Sequence, residues 1–335
     1  MTGNNTLGDL AQSYMLRNRN TALKQDITRL TQELASGQVA DVRQVLSGNF
    51  SYLTDLERKM DILSGYEIST TEATHFTTAM QAALGQMGDI SKDLSGSLIT
   101  AGTSGIGVSA ADLSNEAENA LEALIGRLNT NISGRHMFSG AATDRPALAD
   151  AQTLLTELKT AMAGAVTPAD MITAAQIWFD DPAGFDAVIY QGSNIGLSPF
   201  DLSQAEVVNL DLRATDDDLK DTVMLTALAA LGNDPAFALT PPAQSELFLD
   251  LGQRMLAAQD SLTSLQANVG FVEARIDAIA TRNAAETTSL SFAKAALLEV
   301  DPFEAATKLE DVQFQLQSLY SVTVRMSQLS LVNFL

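Results

Sequence analysis

Cysteine is missing from the chain, so disulfides and thiolate chemistry are excluded in any redox compartment. Histidine is nearly missing. His75 and His136 are the two present, and neither stands in an H-E-x-x-H or other ligand spacing. No G-x-S-x-G occurs. The stretch Gly105 to Gly107 lacks the third glycine, the preceding strand and the nearby lysine of a phosphate loop. Asp216, Asp217 and Asp218 lack the spacing and terminal glutamate of a calcium loop. They read better as the acidic start of a helix, with Thr215 as its N-cap and Asp218 as the capping-box acid. No catalytic residue, metal ligand or cofactor is assigned, and the chain is read as a non-enzyme.

Positive charge is scarce. Twenty Lys and Arg stand against 41 Asp and Glu, a net charge of −21. Phosphate backbones and anionic membrane surfaces repel such a chain, so neither nucleic acid nor membrane is expected as a partner. No apolar run approaches the length of a transmembrane helix. The first residues lack the basic and apolar regions of a signal peptide. Aromatics make up 6% of residues against 46% hydrophobic overall. The apolar content is therefore mostly Ala, Leu, Val, Ile and Met, which suits long helices better than sheet sandwiches.

What is present is helical periodicity at both ends. Phe248, Leu251, Met255, Ala258, Leu262, Leu265, Val269, Val272, Ile276 and Ile279 alternate by three and four residues. The register continues through Leu290, Ala293, Leu297 and Val300, a heptad seam of about 80 Å as one helix. Pro302 stops it near Asp301. The pattern resumes with Ala305, Leu309, Val312, Leu316, Leu319 and Met326, and reaches an apolar end at Leu331, Val332, Phe334 and Leu335. Near the N-terminus, Leu16, Leu23, Ile27, Leu30 and Leu34 form a matching stripe, stopped by Gly37. Leu53 to Leu63 and Phe76 to Leu98 read as further helical runs. A helix from about Leu113 to Leu128 follows, capped by Ser109 or Asp112.

The middle reads differently. Turn residues cluster from Gly134 onward. A short helix is predicted near Leu154 to Met162. Ile177 to Phe179, Ala187 to Tyr190 and Glu206 to Leu212 read as strands, and a helix is predicted from Asp216 to about Leu231. One-seamed helices are unstable alone in water. The two terminal seams must therefore bury against each other or against neighbouring molecules. An apolar terminus needs a partner.

Three further motifs accompany this layout. They are Gly134 to Gly140 (G-R-H-M-F-S-G), Val188 to Gly192 (V-I-Y-Q-G) and Leu30 to Gly37 (L-T-Q-E-L-A-S-G). The C-terminal run places Leu309, Leu316 and Leu319 in an L-x₆-L-x₂-L pattern and ends S-L-V-N-F-L. Together they resemble the flagellin superfamily, and within it the hook–filament junction type. Gln38 to Leu46 stands where relatives usually carry a Ser-Asp-Asp-Pro-like loop.

The expected fold is mainly α, an elongated multi-domain chain. Residues 1–48 and 284–335 form an inner domain of terminal helices paired in coiled-coil fashion. Residues 49–145 and 243–283 form a helical bundle, and 146–242 a small α+β outer insertion. The expected assembly interface is Leu16, Leu23, Ile27, Leu30, Leu34, Leu309, Val312, Leu316, Leu319, Met326, Leu331, Phe334 and Leu335. The resemblance implies a structural subunit that joins the flagellar hook to the filament. It implies as partners the first hook-associated protein, flagellin, copies of the chain in a ring, an export chaperone and the type III export apparatus. It also implies an extracellular location reached without a cleaved signal peptide. A flagellin filament subunit is the alternative, and a secreted adhesin or enzyme on a helical stalk is a more distant one.

Overall fold

The computed structural model describes residues 5–46, 50–104 and 109–332. The described residues are mainly helical, with strands of only two residues. They divide into two units, Met1–Ser64 with Ala285–Leu335, and Gly65–Ala284. Two long helices, α3 (Ser51–Ser104) and α9 (Pro241–Leu298), contribute residues to both.

The first unit also holds α1 (Asn5–Ser36), the short α2 (Val42–Val45) and α10 (Pro302–Val332). Gly37 ends α1 with φ +67°, and its N–H donates to the Glu33 carbonyl at 2.8 Å. A left-handed residue after a helix is cheapest as glycine. The break between α9 and α10 falls where Pro302 predicts it. Pro302 opens α10, and the Asp301 carboxylate accepts from Phe303 N at 2.8 Å and Glu304 N at 3.3 Å. Proline at the first helical position and an acidic cap before it are a strong start signal.

In the second unit the run from Phe76 to Leu98 lies on the same continuous helix as Leu53 to Leu63. Helices α3 and α9 run antiparallel here. Their pairing is read from Gln259 Nε2 donating to Ser95 Oγ (3.0 Å), Gln81 Nε2 to the Gln266 carbonyl (2.7 Å) and Thr78 Oγ1 to Glu273 (3.2 Å). The next helix, α4 (Ala110–Leu128), is capped by Ser109, whose Oγ accepts from Asp112 N at 3.1 Å. One apolar core joins α3 (Met80, Leu84, Met87), α4 (Leu121, Leu124), α5 (Ala151–Ala161), α6 (Pro168–Asp180), α8 (Asp217–Ala230) and α9 (Leu251, Met255).

Three strand expectations are corrected. Ile177 to Phe179 lies inside α6. Thr167, Pro168 and Asp170 form a complete capping box with proline at its start, and that start signal outweighs the β propensity of three bulky residues. Phe179 points into the core and Ile177 out to solvent. Ala187 and Val188 belong to a single helical turn, α7 (Phe185–Val188), followed by an isolated bridge from Tyr190 to Leu148. Of Glu206 to Leu212, only β4 (Val207–Val208) is strand, paired antiparallel with β3 (Phe200–Asp201). The cap of α8 is also corrected by one residue. Asp216 caps it, not Thr215, and the Asp216 carboxylate accepts from Arg213 N at 3.0 Å rather than from the helix.

Candidate assembly surface

The terminal helices α1 and α10 pack against each other. Leu23 and Leu30 are buried, at 5% and 2% exposure. Leu16, Ile27 and Leu34 on α1 are half-buried, as are Leu309, Val312, Leu316, Leu319 and Met326 on α10. Gln12 Nε2 lies 3.6 Å from Met326 Sδ. The predicted seam residues with described side chains thus meet one another within one chain. Leu331 falls in α10, but its side chain lies outside the described residues, as do Phe334 and Leu335 entirely.

Two loops fix this helix pair in register. Val39 N donates to the Leu298 carbonyl at 2.9 Å, and Val300 N donates to the Gly37 carbonyl at 3.1 Å. Gln38 and Glu299 form the antiparallel bridge between them. Glu33 is buried beneath. Its carboxylate accepts from Arg29 Nη1 and from Ala40 N, both at 3.2 Å. A buried carboxylate needs such donors. The segment around Gln38 is therefore the one that ties the end of α1 to the junction of α9 and α10. Nothing in the heptad pattern signals it, because its bonds are backbone bonds.

The opposite faces carry apolar side chains that the seam does not use. Phe303 is 82% exposed and Phe314 69%. They stand eleven residues apart, three helical turns, and so share a face of α10. Val324 on α10 and Tyr14 and Met15 on α1 are exposed as well. Sequence reasoning missed these residues because they lie off the heptad. An eleven-residue spacing of phenylalanines is the signal that could have found the pair on α10.

Two other predicted motifs turn out to be halves of one contact in the second unit. Hairpin β1 (Asn131–Ile132) to β2 (Arg135–His136) turns through Ser133 and Gly134, both at positive φ, as tight hairpins require. Beyond it, Ser139 O accepts from Ser193 N at 2.9 Å, and Ala141 N donates to Ile195 O at 2.8 Å. A Cβ on Gly140 would stand 2.5 Å from Ser193 O. One on Gly192 would strike the Tyr190 ring and Ser139 O. Both glycines are needed because two backbones touch. The Tyr190 hydroxyl donates to Ser193 O at 3.0 Å, and burial pushes it up to about 12. His136 is half-buried with Nδ1 2.8 Å from the Asn129 carbonyl, and His75 is exposed. Among the described residues no three His, Asp or Glu gather as a metal site, and no helix is long and apolar enough to cross a membrane.

Residues 254–335, the later part of α9 and all of α10, match the family model described as the bacterial flagellin C-terminal helical region. No curated protein matches the chain. Among solved structures, one titled as the structure of a putative flagellar hook-associated protein from Vibrio parahaemolyticus is 13% identical. It matches with a TM-score of 0.48 over 73% of this chain and 95% of its own. A likeness that loose carries no weight for function. The family match covers the C-terminal quarter of the chain, which is similar to the C-terminal helical region of bacterial flagellin.

Proposed function

We propose that the chain is the junction subunit between hook and filament. One axial neighbour is the first hook-associated protein, the other is flagellin, and copies of the chain complete a ring. The observation that carries this reading is the two-sided character of α1 and α10. One face closes the intramolecular seam, while Phe303, Phe314 and Val324 stand uncovered on the other. Exposed apolar rows on a long helix call for a partner. The ending S-L-V-N-F-L and the L-x₆-L-x₂-L run favour the junction type over flagellin proper.

In this reading residues 1–48 with 284–335 assemble, 49–145 with 243–283 form the bundle, and 146–242 face outward. Assembly energy comes from apolar burial at about 25 cal/mol per Å² before ordering costs. A high negative charge keeps free subunits apart. An export chaperone covers the C-terminal helix until delivery, and a disulfide-free chain suits passage unfolded through the type III channel without a cleaved signal.

The test is the double variant Phe303→Ser, Phe314→Ser. Both side chains are exposed, so unfolding free energy is expected to move by less than about 1 kcal/mol. Incorporation at hook ends is expected to be lost. A variant that incorporates as the wild type does removes the outward face from the assembly surface.

A further inference from the structure

The hairpin of β3 and β4 returns from the insertion to the helix pair of its own unit. Its turn is closed by backbone bonds, Leu202 N and Ser203 N both donating to the Glu206 carbonyl at 3.0 and 3.2 Å. That closure aims the Glu206 side chain at α9. One carboxylate oxygen lies 2.6 Å from Arg282 Nη2, and the other lies 3.7 Å from Arg275 Nε. The two arginines are seven residues apart, two turns on one face. Asn283 Nδ2, nearly buried, donates to the Leu202 carbonyl at 2.8 Å. On the other helix, the Phe200 ring packs 5.9 Å from Phe76. Phe76 also carries the Arg135 guanidinium over its ring, and Arg135 pairs with Glu72. Phe200, Leu202 and Val208 are buried. One short arm therefore grips both helices, α3 at Phe76 and α9 at Arg275, Arg282 and Asn283.

Ala73 and Phe76 of α3 and Ile276 and Ile279 of α9 are buried here. Thr70 and Thr77 are buried on α3, but their hydroxyls turn back to carbonyls of their own helix, at Tyr66, Glu67 and Thr74. Such back-bonding satisfies the hydroxyl and adds nothing across the seam. Phe200 and Leu202 add their buried side chains to this apolar layer.

We propose that the arm Phe200–Val208 is a clamp, whose seating holds α3 and α9 together between residues 72–76 and 275–283. The insertion thereby sets the stiffness of the helix pair it grows from. This inference does not depend on the flagellar role, because it is read on the isolated chain.

Hydrogen exchange on the full-length protein tests it. Glu206→Arg places a third positive charge beside Arg275 and Arg282. Exchange is expected to speed by about tenfold in 200–208 and in 272–283, with Asp217–Ala230 unchanged. Glu206→Gln, which removes attraction without adding repulsion, gives a smaller rise in the same two segments and serves if the first variant does not fold. The triple variant Glu206→Arg, Arg275→Glu, Arg282→Glu restores the native pattern. The clamp is overturned by an arm that loosens while 272–283 keeps its native rate. It is also overturned by exchange unchanged in both segments, or by failure of the charge swap to restore protection.

Discussion

Gly102 and Gly252 mark a close approach of α3 and α9. A Cβ on Gly102 would stand 2.7 Å from Leu249 Cβ and 2.9 Å from its backbone. One on Gly252 would stand 2.7 Å from Ile99 Cγ1. Backbone cannot yield, so Gly102→Ala is expected to cost about 1–3 kcal/mol in urea unfolding. Gly88, in the same helix with nothing within 4 Å of such a Cβ, is the contrast. There alanine is neutral or stabilising by up to about 1 kcal/mol. Equal effects at both sites would contradict the close crossing. A second residue-scale expectation concerns Asp186. Its Oδ1 is buried without a hydrogen bond, 3.9 Å from Lys220 Nζ. Burial holds the carboxyl above its ordinary range, against the pull of Lys220. An acid whose pKa is raised in the folded state takes up its proton first as pH falls. Ionised Asp186 therefore costs stability at neutral pH, and the cost is relieved as pH drops through the raised value toward the ordinary one. Asp186→Asn is expected to raise Tm at neutral pH, with the gain shrinking on acidification through that window. Calorimetry at the two pH values checks this, and a gain that persists in acid would contradict it. From sequence, Gly102 reads as the onset of a break and Gly252 as a weak point. An absent side chain is visible in sequence, but the atoms that occupy its place are not.

Among the elements, the bridge between the Gly37–Val39 loop and Leu298–Val300 decides how α1 and α10 align. Val39→Pro removes the donor to the Leu298 carbonyl. The expected loss is about 1–3 kcal/mol, with faster exchange at Val300 and in the last turn of α1. Unchanged protection there would mean that the helix seam alone sets the register. The helices themselves were legible, since Gly37, Pro302, Ser109 and the heptad stripes are local signals with local causes. The insertion was less so. Ile177 to Phe179 looks like a strand to a reader weighing bulky residues, while the box at Thr167 and Asp170 ten residues earlier starts a helix. Tyr190 and Gly192 stand out in the sequence, but what they do depends on Ser139 and Gly140, some fifty residues away in sequence. Periodicity reports one element at a time, and contacts of that kind lie beyond it.

At the scale of the whole molecule, both ends of the chain enter one unit and the centre forms another. Truncation after Ala305 removes nearly all of α10 and uncovers Leu16, Leu23, Ile27 and Leu30. The expected product is soluble and unable to assemble. It loses helical circular dichroism from α1 and keeps the cooperative melting of Gly65–Ala284. Assembly by the truncated chain would refute the role given to the seam. The partnership of the two ends was legible because neither apolar stripe is stable alone. The outward phenylalanines and the clasp at Gln38 were not, since one lies off the heptad and the other is made of backbone.

The most direct measurement mixes the purified full-length chain with purified flagellin and the first hook-associated protein, followed by sizing and negative-stain microscopy. The junction reading predicts a chain that is monomeric alone, joins hook ends, and then seeds flagellin. Long filaments formed by the chain by itself would contradict that reading and make it a filament subunit.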